Sequence, residues 1–323
     1  MNSNPLKLGV TFHSFANEYC SMQWSFEDMM QIATLLGGGV EIVGPSHHRC
    51  FPDVSDEFER AFKSSIERYG LTATCYGTYA DPFTYPNRDL SADELTEYTL
   101  RQLAGAVKLG IPVARLQYFA APIVERVLPF AEKHHLKLGY ELHAPLTVES
   151  QQTQSLIEQI RRLASPCLGL IPDAGIFARS IPAYLRNQIL RDGMPERYLQ
   201  LALELWQAGV PLPDASAAIL KAGASSRQFV TLERFWGSFG QSSPSALQTI
   251  APHIIHIHAK FFSMSNGDEP DVRYKELVTE LVRMGYRGWI SSEYEGAQTD
   301  TFEVVSAQQA MIRRYEAEAR SPS

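Results

Sequence analysis

Eight short runs rich in β-branched, aromatic and small residues recur along the chain, and a helical pattern follows each of them. The runs begin at Leu6, Gly39, Leu71, Pro112, Leu136, Leu168, His253 and Gly288. Strands that alternate with helices lie parallel in one sheet. Eight such units in 323 residues favour a (β/α)8 barrel over a doubly wound sheet, because strand count and length both fit. We therefore predict an α/β chain that forms a single TIM-barrel domain, residues 1–323.

Four of the helical segments carry recognisable ends. Three open on Ser25, Ser55 and Ser91, and the fourth opens on Asp271. Side-chain oxygens of Ser and Asp accept hydrogen bonds from the free N–H groups of a first helical turn, and each segment closes on a glycine that suits a helix C-terminus. These patterns predict four capped amphipathic helices.

One connection is much longer than the others. Leu168 and His253 lie 85 positions apart, whereas the other strand starts are separated by roughly 25 to 40 residues, a normal βα unit. We predict an insertion over about residues 178–250, between strands six and seven. Segments that follow barrel strands lie on the catalytic face, so this one could be a lid, a substrate wall or a subunit contact. A surface elaboration without function is the alternative.

Composition and charge exclude several classes of protein. The net charge of −7 opposes binding to a polyanion, so no nucleic acid partner is expected. The four cysteines lack any C-x-x-C spacing, which favours reduced core thiols over a zinc site or disulfides. The first residues lack the features of a signal peptide, and no apolar run is long enough to span a membrane. We expect a soluble, cytoplasmic protein.

Residue types that bind divalent cations stand near the ends of four consecutive predicted strands. In chain order they are Glu141, Asp173, His258 and Glu293. The reacting groups of a barrel collect at the C-terminal strand ends, so these side chains should meet. Three carboxylates would repel one another by about 4 kcal/mol per pair at ~4 Å, and Lys260 could offset only one of them. We predict one bound divalent cation, Mn²⁺ or Mg²⁺, because these ions suit oxygen ligands with one imidazole.

A histidine stands next to the first of these ligands. His143 lies two residues beyond Glu141, on the same face of the strand and nearer the barrel mouth. Imidazole titrates near pH ~6.5 and can take a proton at neutral pH, so we predict that His143 is the catalytic base. His256, one layer below His258, is expected to form hydrogen bonds in the interior. Predicted substrate-binding residues are His13, Glu41, His47, Lys260 and Glu295.

The segments YELHAP, IPDAG, HIHAK and SSEYEG resemble the xylose isomerase-like barrels, which include the sugar phosphate isomerases and epimerases. The resemblance covers nearly the whole chain. It implies that the four predicted ligands bind one divalent metal, and it selects the second histidine of HIHAK. The chain departs from the pattern D-x-x-H of many epimerases, because Ile176 stands where the histidine would be.

A narrower resemblance fits that departure. The segments TFHSFANEYCS, VEIVGPSHHRCFP, ELHAP, HIHAKFF and SSEYEG are similar to the α subunits of bacterial C-glycoside deglycosidases. This resemblance implies a carbon–carbon lyase that cleaves the sugar–aglycone bond of 3-oxo C-glycosides and works with a small β subunit in a hetero-oligomer. In that chemistry His143 removes the C2 proton, and the aglycone is eliminated from C1.

Three alternatives remain open from sequence. A sugar isomerase or epimerase would use the same metal and base but reprotonate the intermediate. An abasic-site endonuclease would need a three-metal cluster and a basic groove, which the acidic balance disfavours. A non-catalytic scaffold would bind no stoichiometric divalent ion. The released product and the metal content distinguish these possibilities.

Overall fold

Eight parallel strands form the centre of the molecule, in a computed structural model that describes residues 4–79 and 82–321. They are β1 (Lys7–Thr11), β2 (Gly39–Val43), β3 (Thr72–Gly77), β4 (Val113–Leu116), β5 (Lys137–Leu142), β6 (Leu168–Pro172), β7 (Ile257–Phe261) and β8 (Trp289–Tyr294). The sheet order is β6-β5-β4-β3-β2-β1-β8-β7. The parallel bridges Leu170–Ile254 and Asp173–His258 join β6 to β7 and close the sheet. The (β/α)8 prediction is confirmed.

Helices surround the strands. They are α1 (Ala16–Cys20), α2 (Phe26–Ala33), α3 (Gly44–His47), α4 (Asp56–Tyr69), α5 (Ala92–Leu109), α6 (Val124–Lys133), α7 (Gln151–Leu163), α8 (Ala183–Arg191), α9 (Glu196–Gln207), α10 (Leu212–Lys221), α11 (Ser226–Leu232), α12 (Arg234–Ser238), α13 (Leu247–Ile250), α14 (Tyr274–Arg283) and α15 (Thr301–Arg320). Short 3-10 helices occupy Phe12–Phe15, Tyr118–Ile123, Ala174–Ile176, Pro244–Ala246 and Ala251–His253. In the part of the chain that the structure describes, no helix is long and apolar enough to cross a membrane.

The predicted domain, residues 1–323, extends beyond the described residues at both ends. The structure does not describe residues 1–3, which begin the segment that lacks signal-peptide features. The cysteine prediction is correct for Cys75 and Cys167, which are buried and free, whereas Cys20 and Cys50 are exposed.

The serine caps form as predicted, and the aspartate cap does not. Ser25, Ser55 and Ser91 each accept a hydrogen bond from a backbone N–H of the first turn of α2, α4 and α5. The prediction for Asp271 is wrong, because α14 begins later, at Tyr274. The Asp271 carboxylate instead accepts a hydrogen bond from Ser180 Oγ at 2.6 Å, which ties the loop after β7 to the segment after β6.

A small apolar cluster fills the barrel below the cavity. Cys75, Val113 and Ile171 form it, with Ile255 packed against them. Gly139 leaves room for this cluster, since a Cβ at that position would lie 2.5 Å from Ile171 Cγ1. Apolar side chains therefore fill this part of the barrel interior.

Strand β7 is shorter than predicted. It begins at Ile257, four residues after His253, because Ala251–His253 forms a 3-10 turn. His258 is thus the second residue of the strand, and the prediction that it lies near the strand end is wrong. The pairing across the β6–β7 junction nevertheless sets His258 opposite Asp173, just beyond the end of β6. This stagger brings the imidazole to the height of the other predicted ligands.

The long connection between β6 and β7 contains helices α8 to α13. Its last part returns to the segment after β6, where Gly240 N–H donates to the Gly175 carbonyl at 3.0 Å and Ala178 N–H donates to the Gly240 carbonyl at 2.8 Å. Its first helix reaches the end of β8, where Tyr184 Oη donates to the Glu295 carbonyl at 2.9 Å. The segment is therefore attached to the catalytic end of the barrel, and its role stays a prediction.

The loop after β7 buries a carboxyl group that sequence analysis did not select. Glu269 is 3% exposed, and its Oε2 accepts hydrogen bonds from the N–H groups of Asp271 at 2.8 Å and Val272 at 2.5 Å. Burial raises the pKa of Glu269 to about 8, although those two backbone donors partly oppose the shift. The carboxyl is therefore protonated at neutral pH.

We predict that Glu269 makes the protein less stable as pH rises. The unfolded chain releases this proton near pH 4.5, whereas the folded chain keeps it to about pH 8. Between these values stability declines by up to about 1.4 kcal/mol per pH unit. Glu269→Gln should remove that decline in urea unfolding at pH 5 and pH 8. The control Glu158→Gln, on the exposed face of α7, should behave as wild type, and an unchanged pH dependence in Glu269→Gln would contradict the prediction.

Candidate functional site

The strand ends surround a cavity of about 400 Å³ at the mouth of the barrel. Charged and imidazole side chains from β2, β4, β5, β7 and β8, and from the segments after β1 and β8, line it. Alternation along barrel strands explains this composition, because every second side chain points inward. Aromatic side chains lie on one side, Val43, Ala144 and Pro145 add further apolar surface, and the rest of the lining is polar.

The four predicted ligands meet at the floor of the cavity. One ligand atom from each lies within 4.8 Å of the others, and all four residues are buried: Glu141, Asp173, His258 and Glu293. His258 Nδ1 lies 2.7 Å from Glu141 Oε1 and 3.3 Å from Glu293 Oε2. The structure therefore brings together side chains that are between 32 and 152 positions apart in the sequence.

These residues fit a divalent cation. Glu293 Oε2 is buried and has no hydrogen-bond donor among residues 4–79 and 82–321. Asp173 Oδ1 accepts a hydrogen bond from Gly175 N–H at 2.6 Å, which directs Oδ2 toward the cluster. Buried oxygens without donors are rare in folded proteins and call for a ligand. Three carboxylates and one imidazole form a donor set suited to Mn²⁺ or Mg²⁺.

Lys260 lies directly above this cluster. Its Nζ is 3.0 Å from Asp173 Oδ2, 3.2 Å from Glu295 Oε1 and 4.0 Å from Glu293 Oε1. Burial disfavours the charged amine, but the carboxylates of Asp173 and Glu293 raise the pKa of Lys260. The ammonium is therefore charged, and it contacts three carboxylates where one was expected.

Sequence analysis missed a second buried cation. Arg115, in β4, is 8% exposed and places Nη1 3.5 Å from Glu141 Oε2. Burial opposes ionisation of Glu141, but Arg115 and then His258 lower the pKa of this carboxyl. The signal was a charged arginine inside the mostly apolar run PVARLQYF, which precedes the four strands that carry the ligands. The expectation that Lys260 alone offsets the carboxylates was incomplete.

Negative charge still prevails after both cations are counted. In the part of the chain that the structure describes, five carboxylates surround the cavity floor and wall: Glu41, Glu141, Asp173, Glu293 and Glu295. Two permanent cations, Arg115 and Lys260, face them, so three negative charges have no matching permanent positive charge among the described residues. Burial raises the pKa of Glu293, although Lys260 and His258 oppose the shift. A divalent cation at this point would relieve the repulsion.

His143 follows β5 and lines the same cavity as Glu141. Its Nδ1 lies 2.6 Å from the carbonyl oxygen of Ala144. A carbonyl accepts hydrogen bonds only, so this contact assigns the proton to Nδ1 and leaves a lone pair on Nε2. The side chain is half-buried. It therefore has the tautomer and the access that a general base needs.

A second titratable pair stands on the cavity wall. His13 Nε2 lies 3.4 Å from Glu295 Oε1, and both residues line the cavity. The hydrogen bond with Glu295 raises the pKa of His13, while burial opposes that shift. The wall therefore offers an imidazole with a stabilised proton next to Lys260, which can donate to oxygen atoms of a bound sugar.

Glu41 lies deeper than predicted for a sugar contact. Its Oε1 is 2.9 Å from His258 Nε2, and its Oε2 is 3.1 Å from His256 Nε2. Burial disfavours the charged carboxylate, but these two imidazoles lower the pKa of Glu41. His256 also lies 2.9 Å from Ser291 Oγ, so its predicted interior hydrogen bonding is confirmed.

No protein-family model matches the chain, but curated relatives match it along nearly its whole length. The 3'-dehydrocarminate deglycosidase alpha subunit of Microbacterium sp. is 36% identical, over 95% of this chain and 94% of the relative. A C-glycoside deglycosidase alpha subunit of Arthrobacter globiformis is 30% identical, over 98% of this chain and 94% of the relative. The chain belongs to the C-glycoside deglycosidase alpha-subunit family.

Solved structures confirm the xylose isomerase-like fold of this deglycosidase-family chain. L-ribulose 3-epimerase superposes with a TM-score of 0.59 at 11% identity, covering 98% of this chain and 96% of the other. The 3-keto-D-glucoside 4-epimerase of E. coli gives 0.55 at 11% identity, covering 96% of this chain and 100% of the other. At such low identity the likeness extends to the fold alone.

In this deglycosidase-family chain, His47 lies outside the cavity lining. Its ring packs against the rings of Phe12, Tyr19 and Phe26, and its Nδ1 lies 2.8 Å from the Val43 carbonyl oxygen and 3.0 Å from the Val43 nitrogen. Burial lowers the pKa of His47 to about 4, so the ring is neutral at pH 7. The predicted sugar contact of His47 is wrong, because α3 turns the side chain into the core.

We predict that His47→Ala lowers stability and leaves substrate binding intact. Loss of the buried ring and its hydrogen bond should cost about 2 kcal/mol or more, measured by urea unfolding. The KM of the remaining folded enzyme should stay within about twofold of wild type, since the ring lies away from the cavity. His13→Ala is the opposite control, with near-normal stability and a raised KM. A large KM effect in His47→Ala would contradict this assignment.

Proposed function

We propose that this chain is the catalytic subunit of a metal-dependent C-glycoside deglycosidase. The observation that carries the proposal is the meeting of four metal-ligand types beside His143, in a member of the deglycosidase alpha-subunit family. The substrate would be a 3-oxo C-glycoside, and the reaction would break the bond between C1 of the sugar and a carbon of the aglycone.

The floor of the cavity would hold one divalent cation, Mn²⁺ or Mg²⁺. Glu141, Asp173, His258 and Glu293 would be its ligands. When bound, such an ion supplies Lewis acidity to a substrate ketone and so acidifies the proton on the neighbouring carbon. The ligand residues also fix the height at which the sugar ring stands relative to His143.

His143 would remove the C2 proton of the sugar. Its Nε2 carries the free lone pair, because Nδ1–H donates to the Ala144 carbonyl. The electron pair of the C2–H bond becomes the C1=C2 double bond, and the C1–aglycone bond breaks with its electrons passing to the aglycone carbon. That carbon takes up a proton from solvent, the proton held by His143 returns to solvent, and a 1,2-unsaturated 3-oxo sugar remains. His13, Lys260 and Glu295 would bind the sugar's oxygen atoms.

An aromatic wall stands on one side of the cavity. Tyr79, Tyr118 and Phe119 line it, and the rings of Tyr118 and Phe119 lie 4.1 Å apart. Planar rings stack favourably on such side chains. The presence of this wall favours a substrate whose aglycone is aromatic. The aglycone would lie beside the sugar and away from the carboxylates.

A partner subunit is part of the proposal. The relatives are named alpha subunits, which supports assembly with a small β subunit in a hetero-oligomer. Purification from the native host, followed by mass measurement of the intact complex, tests this point. A chain that purifies alone and is fully active alone would refute the partner.

The product distinguishes this reaction from epimerisation. The purified complex, supplied with Mn²⁺, is incubated with a 3-oxo C-glucoside and separately with free ketoses, and products are separated by chromatography. Release of the intact aglycone supports the proposal. Scrambling at C2 or C3 of a ketose without aglycone release would support a sugar epimerase instead.

We predict different effects for a base variant and a ligand variant. His143→Ala should keep metal content and lose at least about 100-fold in kcat, because only the proton acceptor is removed. Glu293→Ala should lose both metal and turnover. Elemental analysis and steady-state kinetics measure the two quantities, with His134→Ala, just past α6, as a neutral control. Retention of most activity in His143→Ala would contradict the base assignment.

We predict that Phe119→Ala weakens binding of substrates with aromatic aglycones. Loss of the stacking surface should raise KM by about fivefold, in line with roughly 1 kcal/mol for a ring contact, and leave kcat little changed. Phe119→Leu keeps apolar bulk without the aromatic ring, so its KM should lie between those of the wild type and Phe119→Ala. Equal KM values for all three proteins would show that the aglycone binds elsewhere.

A further inference from the structure

Beneath the predicted ligands lies a row of polar side chains that the proposed reaction does not use. Glu41, His256 and Ser291 form it, and each is at most 1% exposed. His256 Nε2 lies 3.1 Å from Glu41 Oε2 and 2.9 Å from Ser291 Oγ. The other oxygen of Glu41 lies 2.9 Å from His258 Nε2. Both carboxylate oxygens therefore face imidazoles.

The two nitrogens of His258 face different partners. Nδ1 points to the predicted ligands, 2.7 Å from Glu141 Oε1, whereas Nε2 points to Glu41. A neutral imidazole has one N–H and one lone pair, and a carboxylate only accepts. Glu141 imposes the same demand on Nδ1, so both nitrogens favour a proton while no ion is bound. With an ion in place of the Nδ1 proton, Glu41 would favour the tautomer that keeps its proton on Nε2 and turns the Nδ1 lone pair toward the ion. The Nε2–Oε1 contact is short, but its angle is not that of a hydrogen bond, so Glu41 acts on His258 as a nearby negative charge that favours a proton on Nε2.

The backbone of β2 directs Glu41 to this position. The ladder between β2 and β3 shifts its register between Val40 and Glu41, and Glu41 then pairs with Cys75. An irregularity of this kind locally changes strand twist and re-aims the side chain that follows. Glu41 thus reaches His258 across the barrel interior, from a strand that carries none of the predicted ligands.

We propose that Glu41 is the positioning residue for His258, holding its Nδ1 toward the cation site. This inference rests on the proposed function, since it assigns Glu41 a role toward the same metal. A carboxylate behind a metal-binding imidazole fixes its orientation and tautomer, and its loss typically weakens metal binding by 10-fold to 100-fold. The sugar contact first predicted for Glu41 would change KM instead.

The test measures Mn²⁺ binding to the purified protein without substrate, by isothermal titration calorimetry. Glu41→Gln keeps the shape and one acceptor oxygen but removes the charge, so its Kd for Mn²⁺ should rise about 10-fold to 100-fold. KM at saturating Mn²⁺ should stay near the wild-type value. Ser291→Ala, which removes only the far contact of His256, is the control and should bind Mn²⁺ nearly as wild type does.

The possible results separate this inference from the proposed function. A wild-type protein that binds neither Mn²⁺ nor Mg²⁺ overturns both. If the wild type binds Mn²⁺ and Glu41→Gln has an unchanged Kd, the positioning role alone is overturned. A raised KM in that variant would then support the sugar contact first predicted for Glu41. Glu41→Asp carries the test if Glu41→Gln does not fold. Aspartate is shorter by one methylene, which moves the carboxylate away from His258. Wild-type Mn²⁺ affinity in Glu41→Asp therefore overturns the positioning role.

Discussion

Repulsion among carboxylates is the interaction that the arrangement of the barrel mouth must resolve. Buried charges are tolerated only when paired, and here the two permanent cations are placed at opposite sides. Arg115 stands against Glu141, and Lys260 stands against Asp173 and Glu295. Between them, Glu293 has an oxygen that no described residue donates to, and His258 presents Nδ1. The cations thus leave one point uncompensated, where the ligand atoms meet.

The departure from the epimerase pattern has a structural counterpart. Ile176, which stands where many epimerases carry a histidine, is fully buried. Its carbonyl accepts a hydrogen bond from Ser242 N–H at 2.9 Å, and a Cβ at Gly240 would lie 2.8 Å from its Cα. The position is therefore used to attach the long β6–β7 connection closely to the barrel. A polar side chain there would have to enter this packed contact.

Much of the fold was accessible from sequence because it depends on periodic patterns. Alternation of strand and helix, with serine caps, predicted the barrel and the helices α2, α4 and α5. Glu141 and Glu293 lie near strand ends as predicted, since each strand was bounded by clear turn signals. The predicted level of His258 was wrong because Ile254, Ile255 and His256 have the composition of a strand but lie before β7, which begins at Ile257.

The remaining errors in the site concern which way a side chain faces. Arg115 approaches Glu141 from a neighbouring strand, and no local pattern in one strand identifies its cross-strand partner. Glu41 is directed to His258 by a register shift that sequence does not encode in any simple way. His47 resembles a loop histidine, and only the tertiary packing of Phe12, Tyr19 and Phe26 shows that it is core.

The closure of the sheet by isolated bridges has a mechanical meaning. β6 and β7 share no continuous ladder, so this is the junction with the weakest backbone pairing in the barrel. Asp173 and His258 face each other across it, and both belong to the predicted ligand set. An ion bound by both residues would therefore cross-link β6 to β7 at this junction, and with them the first six strands to the last two.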